Sequence, residues 1–233
     1  MNLLITGAGR GLGLQLTKLA LERGHTVIAC MREIADATEG LLNLAAQYDD
    51  QLRIERLNVT HEDEAAQLAA RLAKDNVKLH GIINNAGILL GREHTIETLP
   101  IHLMRLTFDV NVFGPVIVAK HFSPLLADDA GAVVLNISSE AGSMANAYGG
   151  DYPYAMSKTT LNMFSKQLKN TLWKRGVRVL AIHPGWIKTD MGGQSAPMEA
   201  AESAGGIMDI AEGKTTIADE LVFVDHTGRS MPL

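Results

Sequence analysis

The sequence predicts a doubly wound α/β fold, a parallel sheet with helices on both faces, built as a single domain over residues 1–233. Three observations carry this. Seven short runs are rich in leucine or β-branched residues and are apolar on successive positions, as strands buried on both faces are. Longer amphipathic stretches lie between most of them, so strand and helix alternate along the chain. A glycine-rich turn joins the first run to the first helical stretch. No repeat, low-complexity tract or linker divides the chain.

The elements follow in order. "NLLIT" (2–6) is the first strand, and a helix with apolar Leu12, Leu16 and Leu19 follows over 12–23. "TVIAC" (26–30) is the second strand, where Cys30 reads as a buried thiol rather than a reactive one. A helix over 35–48 leads to "LRIERL" (52–57), and one over 61–74 leads to "LHGIIN" (79–84). The long stretch 97–127 reads as two helices before "AVVLNI" (132–137). A helix over 153–175 precedes "VRVLAIH" (177–183), and "LVFV" (221–224) is the last strand. Between them, 186–215 contains "MGGQSAP" and many small residues, and is expected to be a mobile loop with a short helix.

Composition narrows the function. Of 233 residues 46% are hydrophobic and 20% charged, with a net charge of -5. A mildly acidic chain lacks the basic face that nucleic acids and anionic membranes require, so neither is an expected partner. No apolar stretch reads as long enough to span a bilayer. With one cysteine there is no intrachain disulfide, and no secretory signal is visible at "MNLLITGAG". The expected setting is cytoplasmic. The eight histidines show no metal-ligand spacing, so no metal is expected.

"TGAGRGLG" (6–13) follows the first strand and opens the first helix. Gly7, Gly9, Gly11 and Gly13 clear side chains from a tight turn, and helix-start N–H groups then face an anion. The spacing is T-G-x-x-x-G-x-G, and in this strand-to-helix context it reads as a dinucleotide site. An acidic residue at the end of the second strand would grip a ribose 2′-hydroxyl. Here "ACMRE" places Met31 at the tip and Arg32 next, with Arg10 inside the glycine loop. Two guanidinium groups suit a 2′-phosphate, so NADP(H) is expected over NAD(H). Glu33 is the rival reading.

Three further motifs join this one: "NNAG" (84–87), "NISS" (136–139) and "YAMSK" (154–158). In this order, over essentially the whole chain, they resemble the short-chain dehydrogenase/reductase family. "HPGWIKTDMGG" (183–193) is similar to a narrower branch, the C-factor-like and sniffer-like carbonyl reductases. The resemblance implies a Rossmann fold with strand order 3-2-1-4-5-6-7 and NAD(P)(H)-dependent chemistry at a carbinol or carbonyl carbon. It implies Tyr154, Lys158, Ser139 and Asn111 as catalytic residues, with Asn111 holding a water that links Lys158 to solvent. Ser138 would be the structural neighbour of Ser139, which is followed by two residues and then Gly142. Asn85, Ala86 and Gly87 would line the adenosine side, Pro184 and Gly185 the nicotinamide, and Thr189 its carboxamide or a phosphate. Leu12, Val59 and Ile187 complete the implied cofactor contacts. Asn58 stands where the family often has an acidic residue, and its amide would still bond adenine. The Ser139–Tyr154 interval is about two residues long for the family, the extra residues falling in "NAYGGDYP".

The chemistry can be argued from the residues. Positions 154, 158, 161, 165, 168 and 172 share one helix face, and Leu161, Leu168 and Leu172 must pack inward. Tyr154 and Lys158 extend that stripe toward the core. A free phenol titrates near 10, and an ammonium one turn away is expected to lower that by roughly 1–3 units. Lys158 would also hold ribose hydroxyls, Ser139 the substrate oxygen, and Tyr154 would deliver the proton. Tyr148 and Tyr152 lack a lysine four residues on, and Asp109 reads as a surface charge.

The expected activity is NADPH-dependent reduction of an aldehyde or ketone. A dinucleotide-sensing regulatory protein and an NAD-dependent alcohol dehydrogenase are the alternatives. The family resemblance implies a homo-oligomer, dimer or tetramer, built on the helices around 97–127 and 153–175. The substrate would be shaped by 88–96, 140–153 and 186–215.

Overall fold

The computed structural model describes residues 1–128 and 131–233. Seven parallel strands form the sheet: β1 (Asn2–Thr6), β2 (Thr26–Met31), β3 (Leu52–Arg56), β4 (Gly81–Asn84), β5 (Val133–Ile137), β6 (Arg178–His183) and β9 (Phe223–Asp225). A separate two-residue pair, β7 (Ile187–Lys188) and β8 (Met198–Glu199), lies between the last two. The sheet order is β3-β2-β1-β4-β5-β6-β9, the order expected, with the seventh strand of the sheet ninth in the chain.

The alternation of side chains across each strand feeds two cores. On one face Leu3, Ile5, Val27 and Ala29 pack with α1 (Gly11–Glu22), α2 (Glu39–Gln47) and α7 (Ala200–Ala211). On the other, Leu4 and Ile28 pack with α3 (Glu62–Lys74), α5 (Gly114–Phe122) and α6 (Tyr152–Leu172). Strand β1 pairs with β2 on one side and β4 on the other, so the chain reverses its winding there and leaves a crevice beyond the strands' C-terminal ends.

Three expectations change. The stretch 97–127 is not two helices. α4 (Ile101–Phe108) runs through a π turn (Asp109–Phe113) into α5 and a 3₁₀ turn ending at Leu125, without a break. The reason is local: Pro115 has no N–H to bond the carbonyl of Asn111 four residues back, and the widened turn absorbs that misfit. Within this 25-residue segment, Ile101–Leu125, an 18-residue stretch reaches a mean hydropathy of 1.3, so one helix is long and apolar enough by composition to cross a bilayer, contrary to the expectation. It is partly buried here, with Val118, Ala119 and Phe122 packed against the sheet. The stretch 186–215 is not a loop with a short helix. It holds the β7–β8 pair and the 12-residue helix α7, because Ala204, Ile207, Met208 and Ala211 give it one buried face.

Candidate active site

The crevice is an elongated cleft of about 1310 Å³. Its phosphate end is shaped by the loop after β1. Gly7 has φ 66°, and a Cβ there would stand 2.9 Å from Ala86 Cα. A Cβ on Gly13 would run into the Gly7 carbonyl and lie 2.6 Å from Asn85 Nδ2. Asn85 fastens this approach by donating from Nδ2 to the carbonyls of Thr6 at 3.0 Å and Gly7 at 3.1 Å. Thr6 Oγ1 accepts from the N–H groups of Asn85 and Ala86. The N-cap of α1, Arg10, makes no side-chain cap, and the first turn carries no acidic residue. The N–H groups at this helix start therefore face the cleft with the dipole's positive end, as an anion requires.

Most of the expected cofactor residues line the cleft: Gly7, Gly9, Arg10, Gly11, Leu12, Arg32, Asn58, Val59, Asn85, Ala86, Gly87, Pro184, Gly185, Ile187 and Thr189. Gly13 stands behind the loop and serves its packing. At the adenosine end Glu33 receives the Arg56 guanidinium at 3.3 Å, which occupies the rival acid. Arg32 is exposed there, and Arg10 pairs with Asp190 at 3.1 Å. Asn58 Oδ1 accepts from Thr60 N and Oγ1, and its Nδ2 meets His61. The amide caps its own turn, and one of its two Nδ2 hydrogens remains for another acceptor.

At the other end, β5 delivers Ser138 and Ser139, and α6 delivers Tyr154 and Lys158; all four line the cleft. The two serines separate clearly. Ser138 is buried and donates to Asn162 Oδ1 at 2.6 Å, whereas Ser139 Oγ accepts only from Ala141 N at 3.2 Å. Gly142 lets this segment lie directly on α6, since a Cβ there would stand 2.7 Å from the Lys158 carbonyl carbon. Asn111 is buried behind the cleft. Both its amide hydrogens are taken, by the Ile88 carbonyl at 2.9 Å and Ser157 Oγ at 3.0 Å, and its Oδ1 accepts from Ile88 N at 2.8 Å. The side chain's polar atoms are thus spent on Ile88 and Ser157.

The electrostatics correct an expectation. The phenol of Tyr154 is not acidified: burial raises its pKa, against which the Ser139 hydroxyl and the Arg92 guanidinium pull down. Lys158 Nζ lies 5.4 Å from the Tyr154 ring centre and donates to the Ile137 carbonyl at 2.7 Å. It is 5% exposed, and burial lowers its pKa to about 8. The cation is weakened by the same desolvation that keeps the phenol protonated.

Sequence reasoning named the segments 88–96, 140–153 and 186–215 at this end but not the individual residues they supply. Arg92 and Tyr148 line the cleft, and both bond Asp151, which takes a left-handed backbone (φ 47°) at the head of α6. Trp186, Met191 and His183 also line it. Asp109 lines the cleft too rather than lying on an outer helix face. Tyr148 carried a signal, being a tyrosine in the segment expected to meet substrate; the fold of the Gly149–Gly150–Asp151 turn carried none. Cys30 is fully buried, and burial pushes its thiol up. Among the described residues no group of three or more His, Cys, Asp or Glu is placed to hold a metal.

Comparison with known proteins agrees with this geometry. A family model described as short chain dehydrogenase matches residues 1–200. The C-signal protein of Myxococcus xanthus is 34% identical over 152 residues, 65% of this chain and 90% of that protein. The carbonyl reductase Sniffer of D. melanogaster superposes with a TM-score of 0.89 at 29% identity, covering 100% of this chain and 99% of that one. An NADPH-bound carbonyl reductase from chicken fatty liver superposes with a TM-score of 0.87 at 28% identity, covering 100% of this chain and 98% of that one.

Proposed function

This chain belongs to the short-chain dehydrogenase family, and on that premise we propose that it is an NADPH-dependent carbonyl reductase with Tyr154 as its general acid. One observation carries the reading: Ser139, Tyr154 and Lys158 meet at one end of a cleft whose other end is a glycine cradle at a helix start. The cradle fits a dinucleotide, since a Cβ at Gly7 or Gly13 would fill it. When bound, the reduced nicotinamide supplies the hydride.

The protein's own part is orientation and proton transfer. Ser139 Oγ, which accepts from Ala141 N and faces the Tyr154 phenol, donates to the substrate oxygen and steadies the growing negative charge. Tyr154, kept protonated through the neutral range by burial, gives that oxygen its proton. Lys158 spends one hydrogen on Ile137 and has two for ribose hydroxyls, which aligns the reacting carbon. It also repolarises the phenol once the proton has left. Asn111 positions the loop after β4 through its paired side-chain bonds to Ile88.

Two arginines at the adenosine end support NADPH over NADH, and the pairing of Glu33 with Arg56 supports it further. Ile101, Phe113, Met156 and Met163 are exposed on the π-containing helix and on α6, which supports a homo-oligomer. The function is tested by following NADPH consumption with a panel of aldehydes and ketones, for the wild type and Tyr154→Phe. Turnover should disappear in the variant while NADPH still binds. Comparable rates from both proteins would overturn the mechanism.

A further inference from the structure

One permanent cation of the cleft stands apart from the groups assigned to the cofactor. Arg92, on the loop after β4, lines the cleft with Tyr154. Its Nε donates to Asp151 Oδ1 at 3.2 Å, and the Tyr148 hydroxyl donates to Oδ2 of the same carboxylate at 3.1 Å. Asp151 is only 12% exposed in its side chain and sits three residues before Tyr154, so it is a firm anchor for the guanidinium. The Arg92 side chain is itself 59% exposed, and among the described residues its two terminal nitrogens have no bonded partner. A guanidinium carries five N–H donors, and this anchor uses one.

We infer that the substrate is a carbonyl compound that also bears a carboxylate or similar oxyanion, and that Arg92 selects it. The inference rests on the carbonyl-reductase reading above. The terminal nitrogens offer the two parallel N–H bonds that such a group accepts. Arg92 is bonded to Asp151, three residues before Tyr154, and both Arg92 and Tyr154 line the cleft, so the bound anion and the reacting oxygen fit within one small molecule's length. Among the described residues lining this end, no other cation competes for the role. Lys158 is spent on Ile137 and the ribose, and burial keeps His183 neutral. Leu90 and Trp186 give the substrate's body apolar walls.

The test compares benzoylformate and benzoylpropionate, each against its methyl ester, in kcat/KM with NADPH. The readout is the acid-to-ester ratio, because loss of the Arg92 charge also perturbs Tyr154, and does so equally for both members of a pair. The wild type should prefer the better acid to its ester, mainly through KM. Arg92→Met should cut that ratio at least tenfold, and Arg92→Lys should keep part of it. An ester preference in the wild type, or an unchanged ratio in Arg92→Met, overturns the inference. Binding is read separately, by quenching of NADPH fluorescence in Tyr154→Phe with and without Arg92→Met. If neither acids nor esters are turned over, the carbonyl-reductase reading fails. The titration then decides the anion site: weaker acid binding without Arg92 supports it, and equal binding sinks it.

Discussion

The Lys158 ammonium lies 5.4 Å from the centre of the Tyr154 ring, yet it is tied to the Ile137 carbonyl at 2.7 Å rather than to the phenol. Among the described residues no carboxylate shares its burial. The lysine is thus a destabilised cation held ready beside a phenol that stays protonated.

Stability should record that cost. Lys158 titrates at about 8 in the fold and at 10.5 in its ordinary state. Between those values the unfolded chain binds more protons, so this group makes the cofactor-free protein more stable as pH rises through the window, with no change below it. Lys158→Met removes the buried charge. Its thermal midpoint at neutral pH should exceed that of the wild type, and the alkaline gain in stability should shrink. A variant that melts lower at neutral pH would contradict this.

Reduction should have an alkaline limb from the same group. kcat/KM for NADPH reports the free enzyme, in which Lys158 must be charged to hold ribose hydroxyls while Tyr154 stays protonated. The profile should fall as pH rises through about 8. A profile flat past that point would remove Lys158 from ribose binding.

The paired serines should behave oppositely. Ser139→Ala is expected to lower kcat by about 10²–10³ while leaving the melting temperature nearly unchanged. Ser138→Ala strips the buried Asn162 Oδ1 of its 2.6 Å donor, at a cost of about 1–3 kcal/mol. Thermal melts beside steady-state rates would show the split, and a reversal of the two effects would exchange their roles.

Cofactor choice should follow Arg10 and Arg32. Replacing both with alanine should lower the NADPH-to-NADH ratio of kcat/KM by at least tenfold, chiefly through KM for NADPH. Asp190→Asn releases Arg10 from its 3.1 Å partner and should move the ratio the other way. Equal ratios throughout would leave the 2′-phosphate reading without support.

Much of the site could be read because its signals are local. Gly7 and Gly13 sit where added atoms would collide, and Tyr154 and Lys158 share a helix face that Leu161 fixes inward. The strands themselves were legible as buried apolar runs, whereas their order in the sheet was implied by the family resemblance. What could not be read depends on contacts between distant segments. The phenol's acidity depends on burial by loops whose shape the chain does not announce. The π turn is a compromise between Pro115 and the inward bonds of Asn111 to Ile88, twenty-three residues earlier. Asp151 gathers Arg92 and Tyr148 only because its backbone turns left-handed, which aspartate tolerates but does not dictate.

Gly142 resting on the main chain at Lys158 has a practical meaning. Where two backbones touch, the gap between serine and tyrosine is measured by peptide geometry, the least compressible ruler available to a protein. Rotamers, loops and even neighbouring residue types can then be exchanged around the mouth without lengthening the path the proton travels. A library that diversifies 88–96 and 143–150 should therefore yield catalysts for new ketones at high frequency, whereas one touching Gly142 should yield almost none.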